Sequence, residues 1–109
     1  MYPLSKQETF VTNVDQLEEV SSEVGGAYRA LRKAIDSYGP LDEKQRQLCL
    51  LAGFAATRNE GGFRVHCTRA KEAGADLAEV EQTVLLMLGT SIGVAPVIEA
   101  LGWAHDELG

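Results

Sequence analysis

The chain has 109 residues, 45% of them apolar, with 16 acids against 10 bases and a net charge of −6. That length suits a single domain, here 1–109, and the acidic balance opposes phosphate backbones and anionic lipid, which both need a positive face. No run of about eighteen apolar residues occurs, and the opening Met1-Tyr2-Pro3-Leu4-Ser5-Lys6-Gln7-Glu8 has no apolar stretch of signal-peptide length, so no nucleic acid, no membrane and a cytoplasmic setting are expected.

Residues 1–13 show no clear period and read as an N-terminal arm. Helical signals begin at Asn13 or Asp15, either of which can cap a first turn. Leu17, Val20, Val24, Ala27, Leu31, Ala34 and Ile35 then keep the three- and four-residue spacing of an amphipathic helix. Gly25-Gly26 interrupts the series, and two adjacent glycines lose about 1 kcal/mol each against alanine, so a break or kink is expected there. Ser37-Tyr38-Gly39-Pro40 stops the chain, since glycine permits a left-handed cap and proline cannot continue the helix.

Asp42 opens the next helix with Glu43 in its first turn, where negative charge meets the positive helix end. Leu48, Leu51, Ala52 and Ala55 share its face, flanked by Cys49, Gly53 and Ala56. Asn59 is a good cap for a helix running to about Ala73 and ended by Gly74, on which Phe63, His66, Cys67 and Ala70 point one way. Asp76-Leu77-Ala78-Glu79 has the pattern of a capping box, with Leu77, Val80, Val84 and Leu88 as the inner face of the helix that follows. Its second half, Val84-Leu85-Leu86-Met87-Leu88, is apolar all round and must be covered on every side, by its own domain or by another subunit. After a small-residue turn from Gly89 to Gly93, the residues Val94, Ile98, Leu101, His105 and Leu108 outline a last helix, with Pro96 tolerated in its first turn. No strand alternation and no repeat is present, so the fold class is all-α with five to six helices.

The two cysteines, Cys49 and Cys67, form no C-x-x-C pair and read most simply as small buried apolar side chains in a reducing compartment. A disulfide or a reactive thiol is the alternative. Two histidines without metal-ligand spacing predict no metal, and the Gly-Gly pairs fit neither phosphate-loop nor dinucleotide patterns.

From Leu41 to Leu108 the order of features resembles the carboxymuconolactone decarboxylase family, with its alkylhydroperoxidase D-like helical subunit. The matching residues are Leu41-Asp42-Glu43-Lys44-Gln45-Arg46-Gln47-Leu48, then His66 with Ala70 and Gly74, then Ala78-Glu79-Val80, and an apolar run followed by Gly93-Val94-Ala95-Pro96 and a final amphipathic helix. The residues before Leu41 match only in being helical. The resemblance implies no cofactor and self-association as a trimer or hexamer. In the family's peroxidase branch a glutamate precedes two cysteines spaced by two residues, with a histidine four positions after the second. Here the corresponding positions hold Gln47, Asn59, Gly62 and His66. Thiol–disulfide chemistry needs an attacking thiolate and a resolving sulfur. With both missing, alkylhydroperoxidase activity is the least favoured reading. The branch that does without the cysteine pair removes carbon dioxide from a small lactone carrying carboxylates. A non-catalytic oligomeric binding or structural protein of the same fold is the alternative.

Such a decarboxylation has to hold carboxylates and move a proton. Gly61 and Gly62 at a helix N-terminus can offer amide N–H groups to an anion, and Arg58 can pair with a carboxylate. His66 can carry a proton near neutral pH, Glu60 can act as a base or orient the imidazole, and Gln47 can reach His66 across two packed helices. Each also has a structural explanation: His66 as a satisfied interior histidine, Glu60 as a partner of the helix dipole, Gly61 and Gly62 as close-packing residues, Arg58 and Gln47 as solvated side chains. His105, beside Asp106 and Glu107, reads as surface.

Overall fold

A computed structural model of the chain describes residues 13–109; the arm expected over residues 1–13 therefore lies outside the described residues, save Asn13. Six helices are found among them: α1 (Asn13–Val20), α2 (Ser22–Tyr38), α3 (Glu43–Ala56), α4 (Glu60–Glu72), α5 (Leu77–Leu85) and α6 (Val94–Leu108). No strand occurs among the described residues; a lone bridge joins Leu88 to Ile92. The chain divides between Pro40 and Leu41 into two compact units.

In the first unit α1 folds back on α2. The expected interruption at Gly25-Gly26 falls instead at Ser21, whose hydroxyl caps α2 by accepting from the Val24 N–H at 3.1 Å. The helix runs on through both glycines. Gly25 is buried, and a Cβ there would lie 2.7 Å from the Cα of Glu18. The glycine thus lets two backbones approach, and its helix-breaking tendency is overridden by that contact. Arg29 closes the hairpin with ion pairs to Asp15 (2.6 Å) and Glu18 (2.9 Å). Gly39, at φ 71°, ends α2 in a region that glycine enters without penalty.

In the second unit α4 packs on α3 and α6, and α5 packs on α6 and α3. Their common core is Leu51 and Ala55 of α3, Phe63, Cys67 and Ala70 of α4, Val80 and Val84 of α5, and Val97, Ala100 and Ala104 of α6. Phe63 meets Trp103 of α6 with ring centroids 5.6 Å apart. Reciprocal capping boxes at Asp42–Gln45 and Asp76–Glu79 start α3 and α5, and Asn59 caps α4 as its sequence predicts.

Two departures concern the C-terminal third. Helix α5 stops at Leu85, before the apolar run is complete, because the Met87 carbonyl is taken by the N–H groups of Thr90, Ser91 and Ile92 in a tight turn. Leu85, Leu86 and Leu88 remain exposed. Helix α6 turns inward Ala100 and Ala104 together with Val97, and leaves Val94 and Ile98 outside at 64% and 61% exposure. Alanines admit a closer neighbouring helix than branched side chains would, so here proximity outweighs side-chain size in choosing the face.

The two central glycines of α2 should behave oppositely on substitution. Gly25→Ala forces the hairpin apart and should lower the thermal midpoint, whereas Gly26→Ala, with open space around its Cβ, should stabilise by about 0.5–1 kcal/mol. Thermal and urea unfolding of the two variants checks this.

Candidate functional site

The first turns of α3 and the middle of α4 bring three polar side chains into a line. Gln47 lies one turn after Glu43 on α3, and at 6% exposure it is buried. A buried amide must find partners on both its ends, and Gln47 does. Its Nε2 donates to Glu43 Oε2 at 2.9 Å, and its Oε1 lies 2.7 Å from Nδ1 of His66 on α4. The Glu43 carboxylate in turn accepts from the Arg46 guanidinium, which also donates to the Leu41 carbonyl at 2.8 Å. The hydrogen bond from Gln47, with help from Arg46, holds the Glu43 carboxyl below the usual carboxylate range against the opposing effect of burial.

Helix packing sets the imidazole's position. Phe54 of α3 lies against His66 with ring centroids 5.0 Å apart and planes tilted by 36°. That ring fits because residue 62 has no side chain: a Cβ on Gly62 would come within 2.5 Å of the Phe54 ring. His66 is half-buried as a result, one face against an aromatic ring and one nitrogen on an amide.

The remaining residues singled out in the sequence lie at the start of α4 with partners of their own. The Gly62 N–H donates to the Asn59 side chain at 2.9 Å, so the helix cap already uses it. Gly61 is exposed, with no side chain crowding it. Glu60 pairs with Arg64 at 2.9 Å, and Arg64 also grips Asp106 and Glu107 of α6, which raises its already high pKa further. Glu60 therefore belongs to a charge cluster that ties α4 to α6. Arg58 pairs with Glu99 at 3.2 Å on the surface. It sits at φ 55°, with its N–H on the Ala55 carbonyl and the Asn59 N–H on the Phe54 carbonyl. That is the left-handed closing position of a helix, where glycine is usual.

Glu43 and Phe54 escaped the sequence reading as site residues. The spacing of Glu43 and Gln47, four apart on one helix, was the available signal for the first. For Phe54 only the pairing with Gly62 across two helices reveals the role, and no local pattern carries that.

Cys67 is fully buried on α4, and burial pushes its thiol up to about 11. At neutral pH it is a thiol and not a thiolate, so it lacks the nucleophile that redox chemistry requires. Cys49, expected to be buried, is instead exposed on α3, and neither cysteine is paired. Among the described residues no three His, Cys, Asp or Glu side chains gather as a metal site would need, and no helix is long and apolar enough to cross a membrane.

Six helices with no strand among the described residues give the all-α class to which the resemblance pointed. The chain matches the Carboxymuconolactone decarboxylase family over residues 22–106, and it belongs to that family. The match includes the whole of α2, which the sequence resemblance left out. Comparison with curated proteins and with solved structures finds no match.

Thiol labelling of the native protein should leave Cys67 unmodified until denaturant exposes it, while the unfolded chain gives two reactive thiols. Fast labelling of Cys67 in the folded state at neutral pH would contradict its burial.

Proposed function

We propose that this protein is a cofactor-free decarboxylase of a small carboxylated lactone or related compound, with His66 as its proton carrier. The supporting observation is the 2.7 Å bond between His66 and the buried Gln47 amide. A side chain held by a buried hydrogen bond and an aromatic ring keeps one orientation, which general acid–base catalysis needs. In the step proposed, the bond between the carboxylate carbon and the substrate skeleton breaks, carbon dioxide leaves, and its electron pair stays on the skeleton carbon. His66, as imidazolium, delivers a proton to that carbon and is reprotonated from water.

Arg58 is the proposed anchor for a substrate carboxylate. A long cationic side chain stands where the backbone favours glycine, and its pair with Glu99 is about half exposed on both sides. Exposed pairs contribute only about 0–1 kcal/mol, so a carboxylate can take the place of Glu99. Gly61 at the α4 N-terminus can add its amide N–H to the same anion. The structural assignments of Glu60, to Arg64, and of Gly62, to Asn59 and Phe54, argue for giving those two residues the smaller part.

Self-association, as trimer or hexamer, is part of the same proposal. Val24, Tyr28, Leu31 and Ile35 form an exposed apolar stripe along α2, and Leu85, Leu86, Val94 and Ile98 are exposed in the second unit. Apolar surface on this scale on so small a chain is a mark of an interaction face. The two free thiols agree with a reducing, cytoplasmic setting. A non-catalytic oligomer would use the same apolar faces, but it would leave a left-handed arginine without a use.

A panel of carboxylated lactones, assayed by carbon dioxide release, tests the reading. His66→Ala should lower turnover by roughly 10²–10⁴-fold, and Arg58→Gly should raise KM with the fold intact. Wild-type protein inert toward the whole panel, or His66→Ala turning over normally, would exclude His66 catalysis of this kind. Light scattering at micromolar concentration should give a mass of three or six chains; a monomer would refute the assembly.

A further inference from the structure

The amide of Gln47 is a component that can face either way, and what faces it decides which. An ionised carboxylate only accepts hydrogen bonds. Because Glu43 Oε2 lies 2.9 Å from it, the Gln47 end turned toward Glu43 must be the NH₂ group. The other end, turned toward His66, is then the carbonyl oxygen, which also only accepts. At 2.7 Å the Nδ1 of His66 has to be the donor. A neutral imidazole has a single N–H, so its lone pair is left on Nε2.

We propose that Glu43 is a positioning residue which, acting through Gln47, fixes the proton of neutral His66 on Nδ1 and makes Nε2 the nitrogen that takes up and delivers protons. The proposal deepens the proton-carrier reading of His66 and rests on it for its catalytic meaning, but the tautomer itself does not depend on any substrate. Three further observations support the chain of constraints. Arg46 holds the Glu43 carboxylate from its own helix, and Arg69 on α4 adds a favourable field, so the acceptor stays ionised. The burial of Gln47 leaves little water to satisfy a reversed amide. Finally, Phe54 fixes the plane of the ring, so the imidazole cannot swing its nitrogens past one another at will.

The test reads the nitrogens directly. Protein labelled with ¹⁵N-histidine is examined by two-bond ¹⁵N–¹H correlation at about pH 8, above the usual imidazole range, with the exposed His105 as an internal reference assigned through His105→Gln. His66 in the wild type should be in the Nδ1–H form by roughly tenfold or more, the bias expected of one well-made buried hydrogen bond against its reversal. In Glu43→Lys an ammonium, which only donates, should draw the Gln47 oxygen toward itself, turn the NH₂ to His66 and move the proton to Nε2. Adding Gln47→Glu to that variant should return a proton to Nδ1, whether the ring is then neutral or imidazolium, because a carboxylate at position 47 again only accepts. A generally loosened site would not be rescued in this way.

Predominant Nε2–H in the wild type overturns the proposal, as does an unchanged tautomer in Glu43→Lys. If that variant does not fold, Glu43→Ala replaces it: a mixture of tautomers supports the role of Glu43, and a pure Nδ1–H form refutes it. No substrate enters any of these spectra. Loss of the decarboxylase reading and loss of this one are therefore separate results.

Discussion

Burying an amide between two helices costs several kilocalories per mole unless both its ends are bonded, and that demand at Gln47 organises the second unit. The residue lies on the inner face of α3, one turn before Leu51 and two before Ala55, which are both core. Its position commits α4 to present a hydrogen-bonding group at the matching height, and His66 is that group. The same demand reaches back along α3 to Glu43, so one buried side chain links a surface charge to a half-buried ring.

The approach of α3 and α4 that makes this bond possible depends on side chains that are small or missing. Gly62 admits Phe54, and Ala55 and Ala70 take core positions from the two helices. On its other side α4 is held to α6 by Ala100 and Ala104, by the Phe63–Trp103 contact and by Arg64 gripping Asp106 and Glu107. The charge cluster lies on the surface and contributes modestly to stability. Its geometric effect is larger, since it fixes the outer edge of the helix that carries His66.

What could be read in the sequence was local. Asp42, Asn59 and Asp76 announce their helices because capping is chemistry within four residues, and the all-α class follows from the spacing between them. The misreadings are cases where distant partners outvote local tendency. Gly25-Gly26 looks like a break until Glu18 is placed beside it. Val94 and Ile98 look like the inner face of α6 until the alanines prove to be what α4 and α5 approach. At the site, His66 and Gln47 were recognisable through resemblance, and their contact was legible as one possibility. That Gly62 serves Phe54 and Asn59, and that Glu60 serves Arg64, required the packing of helices far apart in sequence.

The amide at position 47 also sets what the imidazole feels. The nearest carboxylate in this hydrogen-bond chain stands one helical turn away at Glu43. A full charge at hydrogen-bond distance would strongly favour the imidazolium, since two unit charges some 4 Å apart interact by about 4 kcal/mol at the effective dielectric of a protein surface. Moving that charge back behind a neutral amide weakens the field, while the directionality of the two hydrogen bonds passes through undiminished. The amide therefore transmits orientation without transmitting most of the charge.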